Sequence, residues 1–236
     1  MNALNPTIST GSDRLDELLN GGLAPEFMHL VYGEAETGKT TLAIQCAANC
    51  ARVGYKTVYL DSESTFSAKR LTQIAAGDIK EVAPYVILAR PVSFAEQSVI
   101  LDKLDSYLTE KVGLIIVDTI TSLYSAELGE ESKNTFKLNR ELNKQMAYLA
   151  QIAKTRKIAT FVTSQVRSVF TTREIDFEPV ARRVMKFWSN VSINLKLTQQ
   201  DSVVRAVLEK HPRRLQPESC LLRIVEEGIR DYEYLG

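Results

Sequence analysis

Eight consecutive residues, Gly33-Glu34-Ala35-Glu36-Thr37-Gly38-Lys39-Thr40, carry the strongest chemical signal in the chain. They fit the pattern GxxxxGK[ST], in which two glycines let a loop wrap so closely round an anion that backbone N–H groups and a helix N-terminus face phosphate oxygens. In that arrangement Lys39 reaches the β- and γ-phosphates of a nucleotide and the Thr40 hydroxyl ligates Mg2+. With the adjacent Thr41, the loop makes one continuous candidate site for ATP and Mg2+. Glu36 sets a carboxylate in an anion cradle, but its position is free in the motif and its side chain is expected to point outward. A second acid, Asp118, ends the apolar run Leu114-Ile115-Ile116-Val117. A strand-end carboxylate there is placed to reach the same magnesium through water.

These groups need a strand before the loop, a helix after it and a neighbouring strand ending in Asp118. The hydrophobic pattern supplies all three: a strand over 27–32, a helix over 39–53 and a strand over 114–118, with further strands at 56–60, 85–89 and 158–163. Helix-length segments separate them, which implies a parallel sheet covered on both faces. The helix before 158 is marked by Leu138, Leu142, Met146, Leu149 and Ala153 at three- and four-residue spacing, with Lys137, Arg140, Glu141 and Lys144 on other faces. After Trp188 three strand-like runs, 191–197, 203–209 and 220–225, follow without long helices between them and imply a mixed or antiparallel edge. The stretch 167–179 has charges, a proline and no sustained period, and reads as a mobile loop.

At 236 residues the length suits one α/β domain over 1–236. No window offers the roughly 18 apolar residues of a membrane span, and the opening MNALNPTISTGS lacks the features of a signal peptide, so a cytoplasmic protein is expected. Lys plus Arg and Asp plus Glu both number 29, so any nucleic-acid contact must come from a local basic patch. Cys46, Cys50 and Cys220 fit no zinc spacing. Cys46 and Cys50 share one helical face and read as small buried hydrophobes.

Further segments carry a family resemblance. Asp61-Ser62-Glu63-Ser64-Thr65-Phe66 and Thr163-Ser164-Gln165-Val166 resemble the DxEGTF and TNQV motifs of RecA-like recombinases. Ser9-Thr10-Gly11-Ser12, Leu15-Asp16-Glu17-Leu18-Leu19 and Gly21-Gly22-Leu23 are similar to the lead-in of RadA, RadB and KaiC proteins. Glu178-Pro179-Val180, Phe187-Trp188-Ser189 and the run from Arg205 to His211 resemble the RadB family of archaeal recombination accessory proteins. The resemblance implies a RecA-like P-loop NTPase core, with a mostly parallel sheet, helices on both faces and an antiparallel carboxy-terminal edge. It implies that Glu63 orients or deprotonates the attacking water, that Gln165 senses the γ-phosphate, and that Arg70 stacks on adenine. The chain begins at the lead-in, so the amino-terminal helical DNA-binding domain of RadA is expected to be missing. Two departures stand out: Ala181-Arg182 replaces a glycine pair, and Pro212 interrupts the Lys-His-Arg signature between His211 and Arg213, the pair the family would direct at a neighbouring subunit's nucleotide.

Arg167, Arg173, Arg182, Arg183 and Lys186 cluster after Gln165, close in sequence to Phe170, Phe177 and Trp188. Cations with interleaved aromatics suit phosphate contacts and base stacking, although Glu174, Asp176 and Glu178 dilute the charge. The combined expectation is an ATP- and DNA-binding accessory of recombination and repair with weak ATP hydrolysis. It would bind single-stranded or branched DNA, modulate a RadA-type recombinase or a Holliday-junction nuclease, and be capable of homo-oligomerisation. A KaiC-like ring-forming signalling ATPase without DNA binding, and a nearly inert nucleotide-binding scaffold, are the competing readings.

Overall fold

The computed structural model describes residues 5–130, 135–170, 175–214 and 216–233. Its strands are β1 (Met28–Gly33), β2 (Lys56–Asp61), β3 (Val86–Ala89), β4 (Val112–Asp118), β5 (Ala159–Ser164), β6 (Val166–Phe170), β7 (Ile175–Pro179), β8 (Val191–Leu197), β9 (Val203–Lys210), β10 (Glu218–Val225) and β11 (Gly228–Asp231). The helices are α1 (Asp13–Leu18), α2 (Lys39–Arg52), α3 (Ala68–Ala75), α4 (Ile79–Val82), α5 (Phe94–Asp102), α6 (Leu104–Tyr107), α7 (Ser122–Glu130), α8 (Thr135–Arg156) and α9 (Arg182–Trp188).

One sheet of nine strands runs in the order β11-β10-β9-β8-β1-β5-β4-β2-β3. From β8 to β3 every pairing is parallel, and β8 to β11 are joined antiparallel. The expected mixed edge is therefore present, with one refinement. β8 runs parallel to β1, because α9 carries the chain back before the strand begins, and the antiparallel part starts at β9. It also gains β11, a short strand entered through a turn at Gly228, whose φ is 121°.

Alternate side chains of the central strands feed two cores. Val31, Leu114, Ile116 and Phe161 face the cluster built with α1, α2 and α3. Met28, Leu30, Tyr32, Ile115, Val117 and Val162 face the one built with α5, α8 and α9. Burial on both faces explains why β4 reads as an apolar run up to Asp118, and it extends to the hydroxyl residues of β5, all of which are buried. The expected periodicity of α8 is realised: Leu138, Leu142, Met146, Leu149 and Ala153 are all buried. Cys46 and Cys50 are buried on α2, and burial pushes the Cys50 thiol up to about 11. Gln45 on α2 donates to Thr10 O at 2.7 Å and Ile229 O at 3.0 Å. One side chain thus fastens both the lead-in and β11 to the helix that opens the candidate phosphate site. No described helix is long and apolar enough to cross a membrane.

The stretch 167–179 is corrected. Its described residues form a strand pair: β6 and β7 run antiparallel as a ribbon, with Arg167 opposite Glu178 and Ser168 opposite Phe177. A two-stranded ribbon beside the main sheet is held by its own backbone hydrogen bonds and needs no continuous apolar face. Arg167 opposite Glu178 is a register of opposite charges across the strands, which a reading along one chain sees only as scattered charge. Residues 171–174, Arg173 among them, lie outside the described residues.

Candidate functional site

The loop from Gly33 to Lys39 joins the end of β1 to the first turn of α2. Two glycines are required there by space. A Cβ on Gly33 would lie 2.2 Å from Leu195 O of the neighbouring strand, and one on Gly38, which has φ 86°, would lie 2.9 Å from Ile224 Cδ1. The Thr37 hydroxyl donates to Glu34 O at 2.8 Å and closes the loop. Glu36 is exposed, with φ 65°, and lines the cleft beside the loop. Lys39 Nζ donates to Gly33 O at 2.9 Å and to Glu34 O at 2.6 Å. Burial pulls its pKa below the ordinary lysine value, against the opposing pull of Asp118, Glu63 and Glu34. An ammonium half-removed from water beside carboxylates is poised to receive a polyanion.

Asp118 ends β4 fully buried. It accepts from Thr163 Oγ1 at 2.5 Å and Tyr59 OH at 2.8 Å, and also from the Thr40 side chain. Burial raises its pKa, and these hydrogen bonds oppose the rise. The direct Thr40–Asp118 contact brings together the hydroxyl and the carboxylate that a magnesium ion would need. Among the described residues no group of three His, Cys, Asp or Glu could hold a metal. One hydroxyl and one carboxylate, completed by phosphate oxygens and water, suit a small hard cation, so the donor set fits Mg2+.

A cleft of about 530 Å3 runs past this loop, lined by Lys39, Thr40, Glu63, Thr119, Gln165 and Ile224 among others. At its far end the Glu63 carboxylate accepts from Gln165 Nε2 at 2.7 Å and from Thr119 Oγ1 at 3.0 Å. The turn that presents Glu63 is built by buried Asp61, which accepts from the N–H groups of Thr65 (2.9 Å) and Phe66 (3.1 Å) and pairs with Arg90 Nε at 3.0 Å. Gln165 leaves β5 for the ribbon: its N–H donates to Thr121 Oγ1 at 3.0 Å, and its carbonyl accepts from Val180 N at 2.9 Å. Gly33, Glu34, Ala35, Glu36, Thr37, Gly38, Lys39, Thr40, Thr41, Asp118, Glu63 and Gln165 thus converge on one cleft region from β1, β2, β4 and β5.

Other sequence-nominated residues sit differently. Arg70 turns its guanidinium onto the carbonyls of Val225 (2.9 Å) and Glu226 (2.7 Å), which fastens α3 to the β10–β11 turn beside Ile224. Of the basic cluster, Arg167 and Arg183 are exposed. Arg182 pairs with Glu178 at 3.0 Å. Lys186 pairs with Glu209 at 2.6 Å and lies 5.6 Å from the centroid of the Tyr32 ring. Trp188 Nε1 donates to Asn143 Oδ1 at 2.9 Å. Lys210 Nζ donates to Lys186 O and Ser189 O, at 2.8 and 2.5 Å. His211 Nδ1 accepts from the Arg213 N–H at 3.1 Å, and burial together with Arg214 and Arg213 lowers the imidazole pKa. Thr119 and the Asp61–Arg90 pair were not anticipated. Thr119 was within reach of sequence reasoning, since it follows the strand-end acid directly, whereas Arg90 lies 29 residues from its partner.

The Rad51 family model matches residues 5–232. The chain is 37% identical over 229 residues to the DNA repair and recombination protein RadB of Thermococcus onnurineus, covering 95% of this chain and 97% of that protein. It is 34% identical over 215 residues to RadB of Methanococcus maripaludis strain C7, covering 91% and 96%. A crystal structure of the RadB recombinase superposes with a TM-score of 0.81 at 33% identity, covering 96% of this chain and all of that one. The chain belongs to the Rad51 family of RecA-like proteins, in its RadB group of DNA repair and recombination proteins.

Proposed function

We propose that this protein is an ATP-binding, DNA-binding accessory of homologous recombination that hydrolyses ATP weakly and uses its nucleotide state to set the β6–β7 ribbon. Lys39 and the loop amides would hold the phosphates, and Thr40 and Asp118 would hold Mg2+, which when bound neutralises phosphate charge. In hydrolysis, water oxygen bonds to the γ-phosphorus as the bond to the β–γ bridging oxygen breaks, and Glu63 takes the water proton. The observation that carries the reading is the 2.7 Å bond between Gln165 and Glu63. One side chain touches the candidate base and belongs to the residue from which the ribbon departs. A ligand that draws either group would bias the ribbon, and with it Arg167 on β6.

The exposed cations Arg167 and Arg183 support single-stranded or branched DNA as the ligand of that region. A RadA-type recombinase or a Holliday-junction nuclease is the partner that such a switch would modulate. The test is a titration of fluorescent single-stranded DNA across a salt series, with and without ATP·Mg2+. Salt-steep and nucleotide-sensitive binding is expected. No binding even at low salt would remove the DNA role and favour the ring-forming signalling ATPase.

A further inference from the structure

Behind the cleft, between the sheet and helices α5 and α8, lies a buried polar chain that touches no residue of the phosphate loop. Gln97, on α5, is fully buried among apolar neighbours. Its Oε1 accepts from the Ser62 hydroxyl at 2.7 Å. Its Nε2 donates to Ile120 O at 3.1 Å and to Gln145 Oε1 at 2.8 Å. Gln145, on α8, donates in turn to Ser98 Oγ at 2.7 Å. The amide can point only one way, because the Ile120 carbonyl accepts and cannot donate. The helix that carries Gln97 is itself firmly begun: the Ser93 hydroxyl accepts from the Glu96 N–H at 3.1 Å, and the Glu96 carboxylate accepts from the Val92 N–H at 2.8 Å.

The two outer partners of Gln97 are significant for where they sit. Ser62 immediately precedes Glu63. Ile120 lies between Thr119, which donates to the Glu63 carboxylate, and Thr121, which accepts the Gln165 N–H. The same two chain exits are joined by Ser62 N to Asp118 O at 2.8 Å and by Ser122 Oγ to Ser62 O at 3.4 Å. One amide therefore clamps the ends of β2 and β4 from behind, one residue away from each group that holds Glu63 and Gln165 in place. A buried amide with all its partners met is rigid, and leaving any of them unmet carries a cost.

We propose that Gln97 is a positioning residue for the hydrolytic end of the cleft: through Ser62 and Ile120 it fixes Glu63 and Gln165 relative to the γ-phosphate position. This rests on the reading that the cleft hydrolyses ATP. The test compares Gln97→Met, which keeps the side-chain length and loses the clamp, with Gln145→Met, which breaks only the Gln97 bond that leads away from the cleft and leaves those to Ser62 and Ile120 in place. For each variant and for the full chain, ATP·Mg2+ affinity, kcat, KM, thermal midpoint and hydrogen exchange over 61–66 and 118–123 are measured.

Gln97→Met is expected to lower kcat by roughly ten- to a hundredfold, with nucleotide affinity changed less than about twofold, since small misplacements of a reacting group have effects of that order. Exchange should accelerate in both segments and stay unchanged over 33–41. Gln145→Met should lower the thermal midpoint to a similar extent and leave kcat within about twofold. Equal losses of kcat in the two variants, or unchanged exchange over 61–66 and 118–123 in Gln97→Met, would overturn the proposal. If the wild-type chain hydrolyses ATP no faster than Glu63→Gln, the hydrolytic reading fails by itself. The exchange pattern then still decides whether Gln97 holds the two chain exits.

Discussion

Replacing Gln165 with Leu tests whether the cleft and the ribbon are coupled through a single side chain. The substitution keeps the volume near the end of β5 and removes one of the two donors to the Glu63 carboxylate, leaving Thr119 Oγ1 at 3.0 Å. A hydrogen bond to a charged group contributes about 1.5–3 kcal/mol, and the exposure of Glu63 places this one at the lower end. About 1.4 kcal/mol corresponds to tenfold in an equilibrium constant. If the bond is what nucleotide makes or breaks, ATP cannot change DNA affinity by much more than about tenfold through it, because a ligand shifts an equilibrium only by its differential interaction with the two states. The expected result is that wild type shows a nucleotide effect on DNA affinity of up to about tenfold. Gln165→Leu shows almost none, while ATP·Mg2+ affinity itself changes by less than about threefold. The assay is DNA-binding anisotropy at fixed ionic strength, with and without ATP·Mg2+. A variant that binds both ligands and keeps the full nucleotide effect would refute the reasoning, since coupling would then have to run by another route.

The basic cluster should divide by pairing. Arg167→Ala with Arg183→Ala removes exposed cations and should reduce the salt slope of single-stranded DNA binding by about 0.7 for each phosphate no longer neutralised. Lys186→Ala should instead cost about 1 kcal/mol of stability in urea titration, with a smaller effect on DNA. It breaks the pair with Glu209, whose pKa stays low because hydrogen bonds from Lys186, Tyr32 and Asn194 outweigh the effect of burial. A salt slope unchanged in the double variant, or a lower slope with unaltered stability in Lys186→Ala, would reverse this assignment. His29 supplies a pH dependence: burial pulls the imidazole down to about 4, despite its contact with Thr160 O. The folded state thus binds fewer protons than the unfolded state, whose histidine titrates near 6.5. The neutral ring's contribution is whole above about pH 6.5 and is lost as pH falls towards 4, by about 2 kcal/mol between pH 7 and 5. His29→Gln should flatten that part of the urea stability profile, and an unchanged slope would show that another group titrates there.

What the sequence disclosed and what it hid follow from the range of the interactions concerned. The phosphate loop was legible because its requirements are local. Gly33 and Gly38 admit the close approach of Leu195 O and Ile224, and Lys39 and Thr40 follow at fixed offsets within one turn. Asp118 was legible because a parallel strand buried on both faces announces itself as an apolar run. Glu63 and Gln165 could be nominated only through a family resemblance, since a strand-end acid and a strand-end amide have no local mark of their function. The ribbon β6–β7 was missed because its stability lies in cross-strand pairing, such as Arg167 opposite Glu178, which a reading along one chain registers as scattered charge. The pairing of Lys186 with Glu209, 23 residues away, left no mark in the neighbourhood of either residue along the chain. The Gln97 clamp was the least visible of all. Its polar partners come from the end of β2, the β4–α7 connection and α8, and a glutamine on a helix looks from its own surroundings like a solvent-facing residue. Local chemistry thus identifies the groups that can touch a ligand. The groups that hold those in register are found only after the chain has closed on itself, which is why the clamp is the sharper test of how this site works.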